Sequence, residues 1–555
     1  MKRSASRFAM ALSVCGFLAN GIEVHAQDRA PVTAEQVKSA VQALDKLAQE
    51  QVDANAVPGL SIAVVFEDEV VYAEGFGVRD TSTAGPVDAD TVFQLASLSK
   101  PISSTIVAAL VGDGKITWDS KISDLDPAFE MYDPWVTREI TIRDFFCHRS
   151  GLPDHAGDLL EELGFTREEI LYRLRYQPPD SSFRAGYAYT NFGLTEGAVA
   201  AARAYGLEWE DAAEQKLYRP LGMTSTSSRH DDFVARQNKA LGHVLIDGKW
   251  VQKYQRDPDT EAPAGGVSSS ANDLAKWLRL QLAGGKFDGN PVVAEAPLAE
   301  THLAHIMINP TSPSGLPGFY GLGWNVNYTG GRLQLSHSGA FSLGAGTNVN
   351  MLPSEQLGII ALTNGAPVGV AEGVTATFLD TARYGKPTRD WFKIYRQAFA
   401  EMTAAGEETD FSQPPASPLP PEDDAAYVGT YHNDYFGEIA IVEQDGGLAI
   451  VQGPQHMTFA MKHYDRDSFS YVTEGESAVG TAGITFTLGP DRKAKAGSGG
   501  WRRCRTCGRR AEVAAILARL NRRTRRLRRG DSGAPSRDRS PPPCPGGPRP
   551  RSCRS

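Results

Sequence analysis

Ser97-Leu98-Ser99-Lys100 places a hydroxyl and an amine three residues apart, so on a helix the two side chains share one face. Serine is a weak nucleophile at its own pKa and needs an adjacent base. A lysine kept neutral by burial and neighbouring cations can be that base. The stretch from Ser97 to about Val111 predicts a helix, with Pro101 tolerated in the first turn and Gly112 and Gly114 ending it. The same spacing also occurs at solvated helix starts, so its meaning depends on the rest of the chain.

Working outward, Thr33 to Asn55 has helical periodicity, with Val37, Val41, Leu44, Leu47 and Val52 mainly on one stripe. Gly59 to Phe66 and Glu69 to Phe76 read as a β-hairpin turning at Glu67-Asp68. Helices and loops follow to about Gly285. Strands return near Tyr320-Gly321-Leu322-Gly323-Trp324, and Arg332 to His337, Gly346 to Leu352 and Gly358 to Thr363 are spaced like neighbours in a sheet. Val370 to Arg383 predicts a closing helix stopped by Gly385 and Pro387, and Trp391 to Met402 a shorter one. Strands at both ends with helices between them predict an α+β fold. Its centre is one antiparallel sheet built from both chain ends, flanked by helices and accompanied by an all-α lobe. Beyond a Pro- and Ser-rich linker, Tyr427 to Leu488 alternates like a small all-β domain, a barrel or a sandwich.

Two further motifs carry chemistry. Tyr189-Thr190-Asn191 offers a phenol that, near a buried lysine, can sit as phenolate or relay a proton to a leaving group. Its amide can bond a substrate carbonyl and hold the lysine. His337-Ser338-Gly339, followed by Ala340, ends a predicted strand whose backbone N–H groups suit a developing oxyanion. Gly339 there would let substrate backbone approach closely. Alone, each is ordinary: a tyrosine is usually a core residue, and a strand histidine a satisfied structural one.

In this order and spacing the three motifs resemble the penicillin-recognising serine hydrolases. That family includes class C β-lactamases, serine D-Ala-D-Ala carboxypeptidases, D-aminopeptidases and related esterases. The resemblance runs from about Val57 to Thr381. It includes Thr141-Ile142-Arg143-Asp144, His148-Arg149-Ser150-Gly151-Leu152-Pro153 and Pro263-Ala264-Gly265-Gly266-Val267-Ser268-Ser269. It implies a β-lactamase/transpeptidase-like fold, with the last domain similar to an accessory domain appended to such hydrolases.

By that resemblance Ser97 is acylated, Lys100 takes its proton, and Tyr189 protonates the leaving group and helps activate the deacylating water. Asn191 orients the substrate amide. His337 stands where the family has Lys or His, and the N–H groups of Ser97 and Ala340 form the oxyanion hole. His337, Ser338, Gly339 and Ala340 are thus expected on the substrate side with Asn191. No metal and no cofactor are implied.

β-Lactamases of this type usually carry Lys-Thr-Gly at the third motif. The histidine resembles carboxypeptidase and D-aminopeptidase members, which cleave peptides with small D-residues. A lysine supplies a fixed positive charge for an antibiotic's carboxylate, whereas a histidine is largely neutral near pH 7. The expectation is a peptidase or amidase acting on peptides with small or D-amino acids; one group of similar proteins cleaves linearised cyclic peptides at D-amino-acid bonds. A carboxylesterase, a β-lactamase of the same fold, and a penicillin-binding protein with little turnover are the alternatives. The Gly-x-Ser-x-Gly elbow of the other common esterase fold is absent.

Length and charge set the remaining bounds. A chain of 555 residues exceeds one core. Lys2, Arg3 and Arg7, the apolar stretch Phe8 to Leu18, and Val24-His25-Ala26 read as a secretory signal, so a periplasmic or secreted location is expected. No later apolar run is long enough to span a bilayer. Of six cysteines, only Cys147 falls in the body. The net charge of −9 hides a tail from Trp501 with 17 arginines and three acids, about +14, against −23 for the remainder. A basic arm invites a nucleic-acid reading. A lysine-free stretch rich in Arg, Pro, Gly, Ala and Ser reads better as a GC-rich gene translated out of frame after Lys495, so no nucleic-acid partner is expected. The organisation expected is a signal over 1–26, the hydrolase domain over 27–405, a linker over 406–424, a β-barrel-like domain over 425–495, and a disordered, frameshifted tail over 496–555. The partner expected is a small molecule or short peptide, with the oligomeric state left open.

Overall fold

Strand Gly59–Phe66 (β1) is buried along its whole length, because helices cover both faces of the sheet it enters. Alternate residues go opposite ways. Leu60, Ile62 and Val64 join one apolar cluster, while Ala63 and Val65 join the other. The computed structural model describes residues 31–309, 317–329, 331–404, 410–478 and 480–500. The signal expected over 1–26 and the tail beyond Gly500 lie outside them.

The central sheet has nine strands: β1, Glu69–Asp80 (β2), Gly85–Pro86 (β3), Ile306–Asn309 (β4), Gly318–Tyr320 (β5), Asn325–Thr329 (β6), Arg332–Phe341 (β7), Ala345–Leu352 (β8) and Leu357–Thr363 (β9). Their spatial order is β4-β5-β6-β7-β8-β9-β1-β2-β3. All eight neighbouring pairs are antiparallel. The β1–β9 pairing, Leu60↔Thr363 to Phe66↔Leu357, closes the two chain ends into one sheet.

Behind the sheet lie Ala34–Gln42 (α1), Leu44–Asp53 (α2) and Val370–Tyr384 (α6), which bury Val37, Leu44, Val374 and Phe378 against β1, β8 and β9. The single helix expected over Thr33 to Asn55 is two helices meeting at Ala43. Ala43 N–H bonds back to Ala40, three residues away, a tightening that ends the first helix there. Thr33 and Gln36 form a reciprocal cap at its start.

In front lie Ser99–Gly112 (α3), Asn191–Arg203 (α4), Ala271–Leu282 (α5) and the shorter helices of the all-α lobe. Trp324 is fully buried and stacks on Trp277 of α5 at 5.6 Å between ring centroids, so it belongs to the core.

After Trp391–Ala404 (α7), eight strands form two four-stranded antiparallel sheets around one core of Tyr427, Ile450, Phe469, Ile484 and Phe486. The last strand, Ala494–Gly500, pairs with Thr481–Leu488 as far as Gly483↔Gly500, five residues past the expected limit at Lys495. This domain rests on the cleft side of the first one. Tyr435 Oη accepts from Gly157 N–H at 2.7 Å, and the Glu476 carboxylate accepts from the N–H groups of Ser342 and Leu343 at 2.6 and 3.1 Å.

Candidate active site

The turn that carries Ser97 is a 3₁₀ segment, Ala96–Leu98, feeding directly into α3. Ala96 adopts φ 49°, a left-handed backbone that costs a non-glycine residue about 1–3 kcal/mol. Two flanking bonds hold the turn: Leu95 N–H to Val267 O at 2.9 Å and Leu98 N–H to Leu95 O at 3.2 Å. The segment Pro263–Val267 bolts down the start of α3. Ser99 Oγ accepts from Val267 N–H at 3.0 Å, and Ser103 Oγ donates to Pro263 O at 2.6 Å.

Lys100 is fully buried one turn on from Ser97, with its Nζ 3.1 Å from Ser97 Oγ, 2.6 Å from Asn191 Oδ1 and 2.9 Å from Ala264 O. Burial pushes its pKa down to about 7, although Glu261 and Asp158 pull the other way. Near neutral pH a large share of Lys100 is therefore the free amine.

Tyr189 and Asn191 reach the lysine because the extended segment before α4 is strapped by the His148–Asp158 loop. Tyr189 N–H donates to Asp154 Oδ1 at 2.6 Å, Thr190 N–H to His148 Nδ1 at 3.1 Å, and His155 N–H to Tyr189 O at 2.6 Å. Lys100 Nζ lies 4.5 Å from the centre of the Tyr189 ring. Burial, and then the nearby Tyr320, raise the Tyr189 phenol well above its ordinary pKa, with the Ser97 hydroxyl working against the rise. Of the two states open to this tyrosine, the environment favours the neutral phenol over the phenolate.

β7 brings the third motif alongside. Its pairing with β6 ends at Ser336↔Asn325, so Ser338, Gly339 and Ala340 run past the end of that neighbour. A Cβ on Gly339 would stand 2.0 Å from Leu95 O and 2.8 Å from Leu98 N. The close approach that Gly339 permits is therefore to the turn carrying Ser97, where the sequence suggested substrate backbone. His337 shares that face and is locked at both nitrogens: Nδ1 donates to Ser338 O at 2.7 Å, and Nε2 accepts from Tyr320 Oη at 2.8 Å. Burial, then the proximity of Lys100, pushes its pKa down to about 3, so it is neutral. The Ser338 side chain points to the opposite face, where Asn348 Nδ2 donates to its Oγ at 3.0 Å. What Ser338 offers on the cleft side is its main chain alone.

The structure thus gathers Ser97, Lys100, Tyr189, Asn191, His337, Gly339 and the half-buried Ala340 around one turn, and turns the Ser338 hydroxyl away. It also brings in residues the motifs did not reveal. Ala264 gives Lys100 a carbonyl, and Asp158 Oδ2 accepts from Asn191 Nδ2 at 3.0 Å. Tyr320 and His148 pack with Tyr187 and Tyr189, with centroids 4.5 to 5.7 Å apart for His148–Tyr189, His148–Tyr320, Tyr187–Tyr320 and His148–Tyr187. His148 and Asp158 lie in and just after a stretch the resemblance had marked, but nothing in their spacing showed that they would meet Thr190 and Asn191. Among the described residues, no three His, Cys, Asp or Glu are placed to hold a metal ion, and no helix is long and apolar enough to cross a membrane.

Comparison with known proteins fits this geometry. A family model described as Beta-lactamase matches residues 44–382, and one described as a domain of unknown function, DUF3471, matches 413–498. An unguisins hydrolase from Aspergillus violaceofuscus is 26% identical over 485 residues, covering 80% of this chain and 85% of that protein. Penicillin-binding protein 4 from Amycolatopsis lactamdurans is 28% identical over 403 residues, covering 70% and 97%. In fold, the chain is similar to an octameric penicillin-binding protein homologue from Pyrococcus abyssi, with a TM-score of 0.55 at 20% identity over 80% of this chain and 96% of that one.

Proposed function

Since the chain belongs to the Beta-lactamase family of serine hydrolases, we propose that it is an exported peptidase or amidase working through an acyl-enzyme on Ser97. The observation that carries this reading is the Lys100 amine, buried with a pKa of about 7 and 3.1 Å from the Ser97 hydroxyl. A base is most effective when its pKa lies near the working pH. Lys100 takes the Ser97 proton as Oγ bonds to the substrate carbonyl carbon, and the carbonyl oxygen becomes an oxyanion facing the N–H groups of Ser97 and Ala340. Tyr189 passes a proton to the leaving amine as the C–N bond breaks. Water, deprotonated along the same route, then releases the acyl group and restores Ser97.

A peptide with small or D-residues, including a linearised cyclic peptide, is the proposed substrate class. The neutral, internally bonded His337 supports it, because the third motif presents no fixed cation for an antibiotic's carboxylate. The same observation makes an uncharged short-chain ester the second candidate. The basic and apolar N-terminal residues support export.

The test is a panel of a chromogenic cephalosporin, a short-chain p-nitrophenyl ester and D-Ala-containing peptides, with relative kcat/KM identifying the class. Ser97→Ala should reduce every activity by about 10⁴-fold or more, as loss of a covalent nucleophile does. Unchanged turnover of all three by Ser97→Ala would overturn the mechanism.

A further inference from the structure

Resting on the acyl-enzyme reading, we propose that Asp158 is a positioning residue: its carboxylate fixes the Asn191 amide so that Lys100 aims its lone pair at Ser97. An amide has a donor end and an acceptor end, and a carboxylate only accepts. Asp158 Oδ2, 3.0 Å from Asn191 Nδ2, therefore compels the donor end to face it and the acceptor end, Oδ1, to face Lys100 Nζ at 2.6 Å. A neutral amine has two N–H bonds and one lone pair. Asn191 Oδ1 and Ala264 O are both acceptors and take the two N–H bonds. The remaining direction of Nζ is toward Ser97 Oγ, 3.1 Å away, and holds the lone pair. With the amide turned round, an Asn191 N–H would point at Nζ and compete for that lone pair.

Asp158 is well placed to impose this order. His155 donates through Nδ1 to the same carboxylate oxygen at 2.6 Å, and the other oxygen is buried without a hydrogen bond. The preceding Gly157 has φ 105°, and a Cβ there would meet the Phe192 ring at 2.4 Å, so the loop sits tightly against the start of α4. Gly157 N–H is in turn held by Tyr435 of the accessory domain. The groups facing Lys100 are Asp158, Glu261, Tyr189, His148 and His337. Burial favours the neutral form of Tyr189, His148 and His337, and Glu261 is held by Arg256 at 3.1 Å, so of these groups Asp158 is the one that also fixes the Asn191 amide.

The experiment compares full-length wild type, Asp158→Asn, Tyr435→Phe and Ser97→Ala in p-nitrophenyl acetate hydrolysis from about pH 5 to about pH 9, with a Tm for each. Asparagine can donate or accept at this position, so the Asn191 amide is no longer forced. Asp158→Asn should lower kcat about tenfold or more, with KM changed less than about twofold. It should also move the acid limb of kcat/KM to lower pH, because a charge favouring the ammonium is gone. A merely structural role would lower Tm and leave the limb in place; that result, or an unchanged kcat, overturns the proposal. If Asp158→Asn does not fold, Tyr435→Phe decides. It keeps the carboxylate but frees Gly157 N–H, and should lower kcat about threefold with the acid limb unmoved; an unchanged kcat there overturns the proposal. Turnover by Ser97→Ala breaks the acyl-enzyme reading itself. An inactive Ser97→Ala beside an unaltered Asp158→Asn breaks only the role of Asp158.

Discussion

The two faces of β7 do different work with consecutive residues of one motif. On the cleft face, His337 and Gly339 sit against Tyr320 and the turn that carries Ser97. On the back face, Ser338 joins a polar cluster under α6, where Thr375 Oγ1 donates to Asn348 Oδ1 at 2.6 Å and Asn348 Nδ2 donates to Ser338 Oγ at 3.0 Å. Strand geometry forces this split, because successive side chains point to opposite faces. The front of the strand sets how closely β7 approaches the turn that carries Ser97. The back sets where the strand itself lies.

The sharpest way to break that division is Gly339→Ala. The new methyl would be driven into Leu95 O at 2.0 Å and Leu98 N at 2.8 Å, both backbone atoms that cannot swing aside. Either β7 or the Ser97 turn must move by an ångström or so. Losing one oxyanion donor typically lowers kcat by about 10²–10³-fold, so a fall of that order is expected, with a destabilisation of about 1–3 kcal/mol. Turnover within about threefold of wild type would show that the two segments are not geometrically coupled.

The back face should answer to pH instead. Burial raises the Glu372 carboxyl to about 7, with the Ser338 hydroxyl partly opposing the rise. A carboxyl whose folded pKa lies above its unfolded one favours folding while protonated. That contribution is complete below the ordinary carboxyl pKa and is lost as pH rises through about 7. Glu372→Gln keeps the shape without the ionisation, so its stability relative to wild type should rise by up to about 3 kcal/mol between about pH 5 and about pH 8. Chemical denaturation at the two pH values measures it. A constant difference would place the titrating group elsewhere.

Much of this molecule was legible because its devices are local. The β1–β2 hairpin, the run of strands from Arg332 to Thr363 and the terminating Gly385 of α6 were each written in patterning or turn chemistry. The Ser97 and Lys100 pair was readable because i and i+3 share a helix face. The roles within His337-Ser338-Gly339 were only half readable. Alternation says that neighbours diverge, but not which face meets the cleft, since both faces of this sheet are buried. The parts played by Asp158, Ala264 and Tyr320 stayed hidden for another reason, although Ala264 and Tyr320 lie in stretches the sequence singled out. These residues reach the site from 33, 164 and 17 residues away from their partners Asn191, Lys100 and His337, by tertiary contacts that no local period encodes. The Ala43 break was hidden too, because both halves of that stretch keep a helical stripe.

The smallest effect tests the front face at the buried contact between Tyr320 and His337. Tyr320→Phe removes the hydroxyl that donates to His337 Nε2 and leaves that nitrogen buried without its partner. An orphaned buried acceptor costs about 1–2 kcal/mol, which a shift in Tm reads directly. His337 keeps its bond to Ser338 O, so the strand should hold its place and kcat should fall no more than about threefold. The pH profile discriminates further. With its pKa near 3, His337 does not titrate where Lys100 does, so the acid limb near pH 7 should stay put in the variant. A limb that moves with Tyr320→Phe would mean that the imidazole, rather than the buried amine, sets the working protonation state, and the two faces of β7 would then differ in chemistry as well as in packing.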